Sequence, residues 1–343
     1  MKGRVIHLDH LKGREAAALV IDGQLQDLLI AADNEAPLTG AIYRATVDRP
    51  VKGQGGVFVR LPEGGSGFLR QVSGLAPGQR VLVQVTGTAE AGKATPVTTR
   101  LLFKSRFCIV TPGAPGLNVS RRIRDEDLRE DLTSIAQGVM DGSEHGLILR
   151  SACEDADDDD IAADIADTRA LAEAVLADMT GEPELLVDGP SPHEAAWRDW
   201  TDVTPDEVIE GAFARDSVLE MVDEVLTPHV PLPSGASMVI EQTRALVAVD
   251  VNTGPDTSPA AGMKANVAVA RDLPRQLRLR GLGGQIVVDF APMSKKDRAT
   301  LDQVLRAAFK GESAETSLVG WTGMGLYELV RKRDRMPLSE AMA

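Results

Sequence analysis

The sequence predicts a multidomain protein of mixed α+β and α/β class, and three observations support this. The chain has 343 residues, more than one hydrophobic core usually organises. Residues 1–100 read as short strands separated by glycine-rich turns. After Ser237, apolar strands alternate with segments of helical periodicity. We therefore expect an N-terminal part rich in β-structure and a C-terminal α/β part.

The N-terminal strands begin with a hairpin. The segments "AALVIDG" and "LQDLLIA" meet at Asp22-Gly23, a pair that favours a tight turn. From Thr39 to residue 105, short strands separated by glycine-rich turns predict a small barrel. These two patterns place strands in most of the first hundred residues.

The middle of the chain predicts alternating helices and strands. Residues 120–139 and the acidic segment up to Gly181 have helical periodicity, and "GLILRSA" between them reads as a strand. "PELLVDG" predicts a further strand, and Pro205 to Leu226 a further helix. The acidic run "EDADDDD" looks metal-binding, but carboxylates favour a helix N-terminus, so we expect it to start the acidic helix.

The C-terminal part predicts an α/β unit. "SMVIEQT" and "ALVAVDV" are two strands, followed by a helix over residues 264–279 and the strand "QIVVDF". Pro274 inside that helix predicts a kink, or a restart capped by Asp272. Ser294 is expected to cap the next helix. "TSLVGW" is expected as a strand, and "GLYELVRKR" as a last helix.

Composition indicates a cytoplasmic protein. No apolar run is long enough for a membrane span, and charges interrupt every apolar segment near the N-terminus, so no signal peptide is expected. Cys108 and Cys153 form no CxxC pair, which favours a reducing compartment and excludes a cysteine metal site. We accordingly expect no zinc.

The charge is unevenly distributed. The net charge is −14, which by itself disfavours a nucleic-acid partner. However, residues 151–224 hold 23 acidic and 3 basic residues, whereas residues 264–335 hold 14 basic and 8 acidic ones. A basic module therefore accompanies an acidic one. The alternative is two solvated surfaces of opposite sign, and for the acidic part we prefer that interpretation.

Two aspartates at the ends of apolar strands suggest a metal site. Asp250 follows "ALVAV", and Asp289 follows "QIVV". Ligand sites in such sheets collect at the carboxyl ends of strands, and two carboxylates with the amide of Asn252 suit Mg²⁺. The alternative is that each aspartate only caps the helix after it.

Several motifs resemble the ribonuclease E / ribonuclease G family. "SMVIEQTRALVAVDVNTG", "RQLRLRGLGGQIVVDF" and "GLYELVRKR" are similar to its catalytic domain. "GAIYRATV" with "GGVFVRLPEGGSGFL" resembles its RNA-binding barrel, and "GLNVSRRI" with "GLILRSA" resembles its 5′-end sensor. The resemblance implies a split RNase H-like platform (1–38 and, shortened, 183–231), an inserted OB-type barrel (39–105), a 5′-sensor region (106–182) and a deoxyribonuclease-I-like catalytic domain (232–343).

The resemblance also implies an activity and the residues that perform it. The activity is Mg²⁺-dependent endonucleolytic cleavage of single-stranded RNA, leaving a 5′-phosphate on the downstream fragment. The residues that match the family's functional positions are Asp250, Asp289 and Asn252 at the metal, Phe58 and Phe68 on the RNA face of the barrel, and Arg121, Arg122, Arg150 and Ser151 around a 5′-phosphate.

Each RNA-contacting assignment has a structural alternative. Phe58 and Phe68 would otherwise be core residues of a small barrel. Arg121 and Arg122 would be a solvated helix start, and Arg150 would form a salt bridge to the acidic helix.

Three departures from the family pattern stand out. The sequence contains no CPxCxG zinc motif, so an oligomer is possible but zinc-linked assembly is not expected. Gly323 replaces a usual arginine near the sensor, and Pro292 an often acidic residue. A catalytically degenerate RNA-binding paralogue is therefore the first alternative, and a Mg²⁺-dependent phosphoesterase acting on small molecules the second.

Overall fold

The computed structural model describes residues 3–32, 37–51, 55–70, 72, 74–90, 92–201, 204–256 and 258–343. The chain forms two compact units, and the first combines both ends of the chain. One unit comprises Met1–Ala32 and Asp206–Ala343, and the other comprises Asp33–Pro205. In these described ranges, no helix is both long and apolar enough to cross a membrane.

Twenty strands and seven α-helices lie within the described ranges. The strands are β1 (Arg4–Leu11), β2 (Arg14–Ile21), β3 (Gln24–Ile30), β4 (Ile42–Val51), β5 (Gly56–Arg60), β6 (Ser66–Arg70), β7 (Arg80–Val85), β8 (Thr95–Thr98), β9 (Phe103–Lys104), β10 (Cys108–Thr111), β11 (Leu117–Val119), β12 (Gly146–Leu149), β13 (Glu184–Val187), β14 (Glu207–Glu210), β15 (His229–Pro231), β16 (Ser237–Gln242), β17 (Val247–Asn252), β18 (Gly284–Asp289), β19 (Thr316–Trp321) and β20 (Tyr327–Arg331). The helices are α1 (Glu126–Val139), α2 (Asp158–Ala177), α3 (Pro192–Asp199), α4 (Val218–Leu226), α5 (Pro259–Leu279), α6 (Lys295–Phe309) and α7 (Leu338–Ala341).

The predicted barrel is confirmed. Strands β4, β5, β6, β8 and β7 follow one another in hydrogen-bonded order, and the pairing of β4 with β7 closes the ring. Its interior is filled by small and branched side chains such as Val59, Leu69 and Val83. A closed five-stranded barrel of this kind is OB-like. Strand β13 adds to its outside by pairing with β4.

A second sheet of the same unit carries the order β11-β12-β10-β9. Helices α1 and α2 pack on it. Helix α2 begins in the acidic run as expected, and Asp157 is its N-cap residue. Both cysteines lie in this core. Burial raises the pKa of the Cys108 thiol to about 11 and that of Cys153 to about 12. Burial therefore favours the protonated, less reactive form of both thiols near neutral pH.

The N-terminal hairpin is confirmed, and its strands belong to the other unit. Asp22 and Gly23 both have positive φ (49° and 78°), as a tight two-residue hairpin turn requires. The sheet has the order β14-β1-β2-β3, and β14 joins β1 in parallel. A strand from residues 207–210 thus completes a sheet that began at residue 4. Helix α4 covers this sheet through Val218 and Val222.

A six-stranded sheet with the order β15-β16-β17-β18-β20-β19 also belongs to the first unit. Only β17 and β18 are parallel neighbours, and α5 is the crossover between them. Helices α5 and α6 cover one face, where Val249, Ile286 and Leu273 are buried in one core. The predicted cap of α6 is confirmed, because the Ser294 hydroxyl accepts from the Asp297 N–H.

Two predicted helices are wrong in whole or in part. "GLYELVRKR" contains strand β20, in which Tyr327, Leu329 and Arg331 are buried and Glu328 is exposed. This period of two fits the pairings of β20 with β18 and β19, which complete the sheet. Residues 205–226 likewise begin as β14, and the helix occupies only their last part.

The expected restart at Pro274 is also wrong. Helix α5 is continuous from Pro259 to Leu279, and Asp272 does not cap a new segment. Instead, the Asp272 carboxylate accepts hydrogen bonds from the side chains of Arg275 and Gln276 farther along the same helix. Pro274 is buried in the helix–sheet core, and that packing offsets the cost of the lost backbone hydrogen bond.

Candidate active site

The two candidate metal aspartates are direct neighbours across a parallel strand pair. Asp250 of β17 lies opposite Asp289 of β18 in the register of the sheet. Adjacent strands are spaced about 4.8 Å apart, and residues opposite one another project to the same face. Both side chains are exposed, whereas Val249 and Val288 beside them point into the core. The fold therefore brings the two carboxylates together on the uncovered face.

The helix-cap alternative for these aspartates is wrong. Helix α5 is capped by Ser258, whose hydroxyl accepts from the Ala261 N–H, and α6 is capped by Ser294. Both caps come several residues after the aspartates. Since neither carboxylate serves a helix end, both remain available to a ligand.

Asn252 joins the pair from the same strand and the same face. Its side-chain Nδ2 donates to Asp250 Oδ2 over 2.7 Å. This hydrogen bond orients the Asp250 carboxylate and turns the NH₂ group of the Asn252 amide toward it. Within the part of the chain that the structure describes, the Asn252 side-chain oxygen accepts no hydrogen bond and can contribute to a ligand shell.

The aspartates lie in a concavity on the open sheet face. The other residues that line it are Val239, Glu241, Ala248, Val249, Val287 and Leu326, of which Glu241 adds one further carboxylate. Leu326 belongs to the turn that connects β19 to β20. The site is thus a surface feature with room for an extended ligand. Among the described residues, no group of three or more His, Cys, Asp or Glu is arranged to hold a metal ion.

A buried asparagine, which sequence analysis missed, supports the site from behind. Asn266 of α5 is completely buried and makes two hydrogen bonds to the backbone of Ala291. Its Nδ2 donates to the Ala291 carbonyl and its Oδ1 accepts from the Ala291 N–H, both at 2.9 Å. Ala291 lies two residues beyond Asp289, so the amide fixes the chain just after this aspartate. The sequence signal was an amide on the apolar stripe of α5.

The two barrel phenylalanines lie outside the barrel core. Phe58 and Phe68 are opposite each other on β5 and β6, with ring centroids 5.1 Å apart. Both are half-buried, and the guanidinium of Arg49 lies 5.3 Å from the centre of the Phe58 ring. A Cβ on Gly56 would lie 2.6 Å from the Phe68 ring, so only glycine leaves room for it. The core alternative is therefore wrong, and the rings form an aromatic pair on the outer surface.

The candidate phosphate residues lie at one edge of the second sheet. Strands β11 and β12 are parallel, so Arg121 and Arg122 after β11 emerge at the same edge as Arg150 and Ser151 after β12. Arg121 and Arg122 are exposed, in the connection that precedes α1. The parallel pairing thus brings the backbones of the two segments to the same edge of the sheet. It does not by itself bring the arginine side chains together.

The Arg150 side chain is held by protein acceptors. Its Nη1 donates to the carbonyls of Ser105 and Arg198 over 2.5 and 2.7 Å. Its Nη2 pairs with Asp199 Oδ1 over 3.1 Å. The salt bridge anticipated for Arg150 therefore exists, but its acid belongs to α3 and not to the acidic helix α2.

Asp199 is the common anion of a basic cluster. Besides Arg150, Lys104 Nζ lies 2.6 Å from Oδ1 and Arg198 Nη2 lies 2.9 Å from Oδ2. Burial alone would raise the pKa of Asp199, but the hydrogen bonds and charges of Arg198 and Lys104 outweigh it and lower the pKa to about 2. Burial lowers the pKa of Lys104, which Asp199 partly offsets. One carboxylate is thus shared by three cations.

The two departures near the aspartates are in open positions. Pro292 is exposed in the segment that follows Asp289. Gly323 lies in the turn before β20, and a Cβ there would meet no atom within 4 Å. Packing therefore does not dictate which residue stands at either position.

Comparison with known proteins agrees with the motifs. A sequence model of the Ribonuclease E/G family matches residues 103–212 and 208–334. The chain is 28% identical to ribonuclease G of Escherichia coli (strain K12) over 390 residues, covering 95% of this chain and 79% of that protein. It is 29% identical to ribonuclease E of Synechocystis sp. over 383 residues, covering 95% of this chain and 56% of that protein. The matched segments contain Arg150, Asp250 and Asp289.

Replacing Asn266 by alanine is expected to destabilise the first unit by about 2 to 4 kcal/mol, because two buried backbone groups of Ala291 lose their partners. Urea unfolding measures the loss, and amide hydrogen exchange at Ala291 should become faster. Gln303→Ala, an exposed amide of α6, is the control and should change little. Equal stability of the two variants would contradict the supporting role of Asn266.

Replacing Asp199 by asparagine should cost about 2 kcal/mol at neutral pH, from a pKa of about 2 against the ordinary 3.8. Because the folded pKa is depressed, this stabilisation is present above pH 3.8 and is lost as pH falls through 2. The difference between wild type and Asp199→Asn in free energy of unfolding should therefore shrink over that interval. Asp131→Asn, an exposed residue of α1, should show no such trend. A pH-independent difference would show that Asp199 acts through packing alone.

Proposed function

Because this chain belongs to the ribonuclease E/G family, we propose that it is an endoribonuclease that cleaves single-stranded RNA with a Mg²⁺ ion held by Asp250 and Asp289. The observation that carries the proposal is the direct pairing of these two aspartates on an open sheet face. The names of the relatives, ribonuclease G and ribonuclease E, support the same reaction class. We also propose a cytoplasmic location, where RNA processing and decay take place.

The residues present fit a magnesium ion. Mg²⁺ is commonly held by one or two carboxylates and keeps waters or substrate phosphate oxygens at its other positions. Asp250 and Asp289 supply the carboxylates, and the exposed face leaves the remaining directions open to substrate. When bound, such an ion supplies an activated water and neutralises charge on the phosphodiester.

The chain's own residues prepare this chemistry. Asn252 holds the Asp250 carboxylate in one orientation, and Asn266 holds the segment after Asp289. The concavity is lined by apolar residues, including Val287 and Leu326, together with the carboxylates of Asp250 and Asp289. A flexible single strand can reach this open face, whereas a small-molecule phosphoesterase would need an enclosed pocket. The intact trio of Asp250, Asn252 and Asp289 also favours catalysis over a degenerate, purely RNA-binding role.

The barrel is proposed to hold the RNA through Phe58 and Phe68. Their rings are half-buried on the outer surface, and Arg49 lies beside them. Base stacking on such rings contributes about 1–3 kcal/mol per base and tolerates any sequence. The cation next to the ring adds an attraction for the phosphate backbone.

A 5′-phosphate site is proposed at Arg121, Arg122, Arg150 and Ser151. Support comes from the common sheet edge of the two segments and from the cluster of Lys104, Arg150 and Arg198 beside it. In this state Asp199 occupies one side of the Arg150 guanidinium, so a terminal phosphate would have to compete with that carboxylate. We therefore propose a preference for 5′-monophosphorylated RNA that is weaker than an uncontested arginine would give.

The domain assignments follow from the same family relationship. We propose that residues 1–38 and part of 183–231 form an RNase H-like platform, that 106–182 form the 5′ sensor, and that 232–343 form a deoxyribonuclease-I-like domain. Strand β14 supports the first proposal, because it completes the N-terminal sheet. Residues 183–231 are divided, since β13 pairs with the barrel strand β4. Zinc-linked assembly is not proposed.

Asp250→Asn or Asp289→Asn should reduce cleavage of a labelled single-stranded RNA more than about 100-fold, because each removes a metal ligand. RNA affinity measured in EDTA should be retained, since binding rests on the barrel and on basic groups. Asp223→Asn makes the same chemical change at an exposed site on α4 and should leave turnover intact. Near-normal turnover of either active-site variant at saturating Mg²⁺ would show that the metal assignment is wrong.

Arg150→Ala should reduce cleavage of 5′-monophosphorylated RNA toward the rate for 5′-hydroxyl RNA, a loss of about tenfold for one charge-assisted contact. Circular RNA, which has no end, should be cleaved nearly as before. The control is Arg169→Ala. Like Arg150, Arg169 forms an ion pair, here with Glu173, and donates a hydrogen bond to a backbone carbonyl, here that of Val139. If Arg150→Ala instead loses activity equally on all three substrates and melts earlier, its role is structural. A wild-type enzyme that does not distinguish the 5′ group would contradict the sensor itself.

A further inference from the structure

Arg298 lies against an aromatic ring close to the metal edge. It belongs to the first turns of α6, and its guanidinium carbon lies 4.4 Å from the centre of the Trp321 ring. Trp321 ends β19 and in turn packs against Phe290, with ring centroids 5.8 Å apart. Phe290 is the residue after Asp289. A chain of three side chains therefore connects the Arg298 guanidinium to the strand end that carries the metal ligand.

The Arg298 guanidinium is not neutralised by the protein. Within the described part of the chain it makes no hydrogen bond and no ion pair, and its Nε is shielded from solvent with no acceptor. Other arginines of this unit are paired: Arg306 with Asp302, and Arg331 with Glu312. Arginine carries five N–H donors, and leaving a half-buried cation without an acceptor is costly. An anionic ligand would remove that cost.

The free donors face the turn that borders the concavity. A Cβ at Gly325 would lie 3.6 Å from Nη2 of Arg298. Leu326, the next residue, lines the concavity that holds Asp250 and Asp289. Gly323 in the same turn adds no side chain over this space. Arg298 therefore lies beside the β19–β20 turn, on the helix-covered side of the sheet and at the same end of β18 as Asp289.

From this geometry we propose that Arg298, held by Trp321, binds a backbone phosphate of the RNA next to the one that is cleaved. The proposal rests on the proposed function, because it assumes that RNA crosses the Asp250–Asp289 edge. The planar guanidinium suits the oxygens of a phosphate, and stacking on Trp321 orients it before the ligand arrives. A base is a poorer occupant, since Arg298 already covers one face of the Trp321 ring.

The test measures binding of an uncleavable 2′-O-methyl RNA of about ten nucleotides in EDTA, over a series of salt concentrations. Arg298→Gln should lower the affinity about tenfold and reduce the slope of log affinity against log salt by about 0.7, the value for one phosphate contact on a single strand. Arg306→Gln removes an exposed, carboxylate-paired arginine of the same helix and should leave both quantities unchanged.

A second variant keeps the test independent of folding. Arg298→Lys retains the charge, so the salt slope should be preserved while affinity falls severalfold because the stacked planar fork is lost. Wild-type affinity and slope in a folded Arg298→Gln would overturn the proposal, and so would wild-type affinity in Arg298→Lys if the glutamine variant does not fold. A wild-type protein that neither binds nor cleaves single-stranded RNA would refute the proposed function instead. Normal binding and cleavage by wild type with no effect at Arg298 would refute only this subsite.

Discussion

The parallel pairing of β17 with β18 is the constraint on which the candidate site depends. A parallel neighbour requires a crossover, and α5 supplies it while burying its apolar stripe on the opposite face of the sheet. Burial of Val249 and Val288 on that face disfavours a slip of one residue, which would turn every side chain over. In the observed register Asp250 and Asp289 are opposite each other, and both are exposed. The pairing of the two candidate metal ligands is a consequence of how the core packs.

Formal charge is a poor guide to where this protein can meet RNA. The C-terminal region has an excess of basic residues, yet many of them are used internally. Arg331 is almost completely buried against Glu312, and Arg335 pairs with Asp27 of β3. Such pairs stabilise the unit but do not attract a ligand. Arg298 differs because an aromatic ring holds it and, among the residues that the structure describes, no carboxylate pairs with it.

The second unit uses the opposite arrangement at Arg150. There the side chains of Lys104, Arg150 and Arg198 all pair with one carboxylate, that of Asp199. A low pKa keeps Asp199 ionised throughout the physiological range, so protonation cannot release Arg150. Any anion that engages this cluster has to do so by competition or by sharing the cations.

The sequence by itself determined the features that depend on nearby residues. Asp22-Gly23 specifies a hairpin, Ser294 specifies a helix start, and the apolar runs ending in Asp250 and Asp289 specify strand ends that carry carboxylates. The pattern of short strands separated by glycine-rich turns was enough to predict the barrel. Motif resemblance added the family and, with it, the candidate reaction. Each of these signals lies within a few residues of the structure it encodes.

Tertiary structure decided what depends on distant partners. "GLYELVRKR" has composition suited to a helix, but β18 and β19 offer it hydrogen bonds on both sides, so it becomes β20. Strand β14 forms because β1, some two hundred residues earlier, has an open edge. The partner of Arg150, the supporting hydrogen bonds of Asn266 and the stacking of Arg298 on Trp321 also join residues far apart in the chain. No local pattern encodes them, because they exist only once separate elements have packed together.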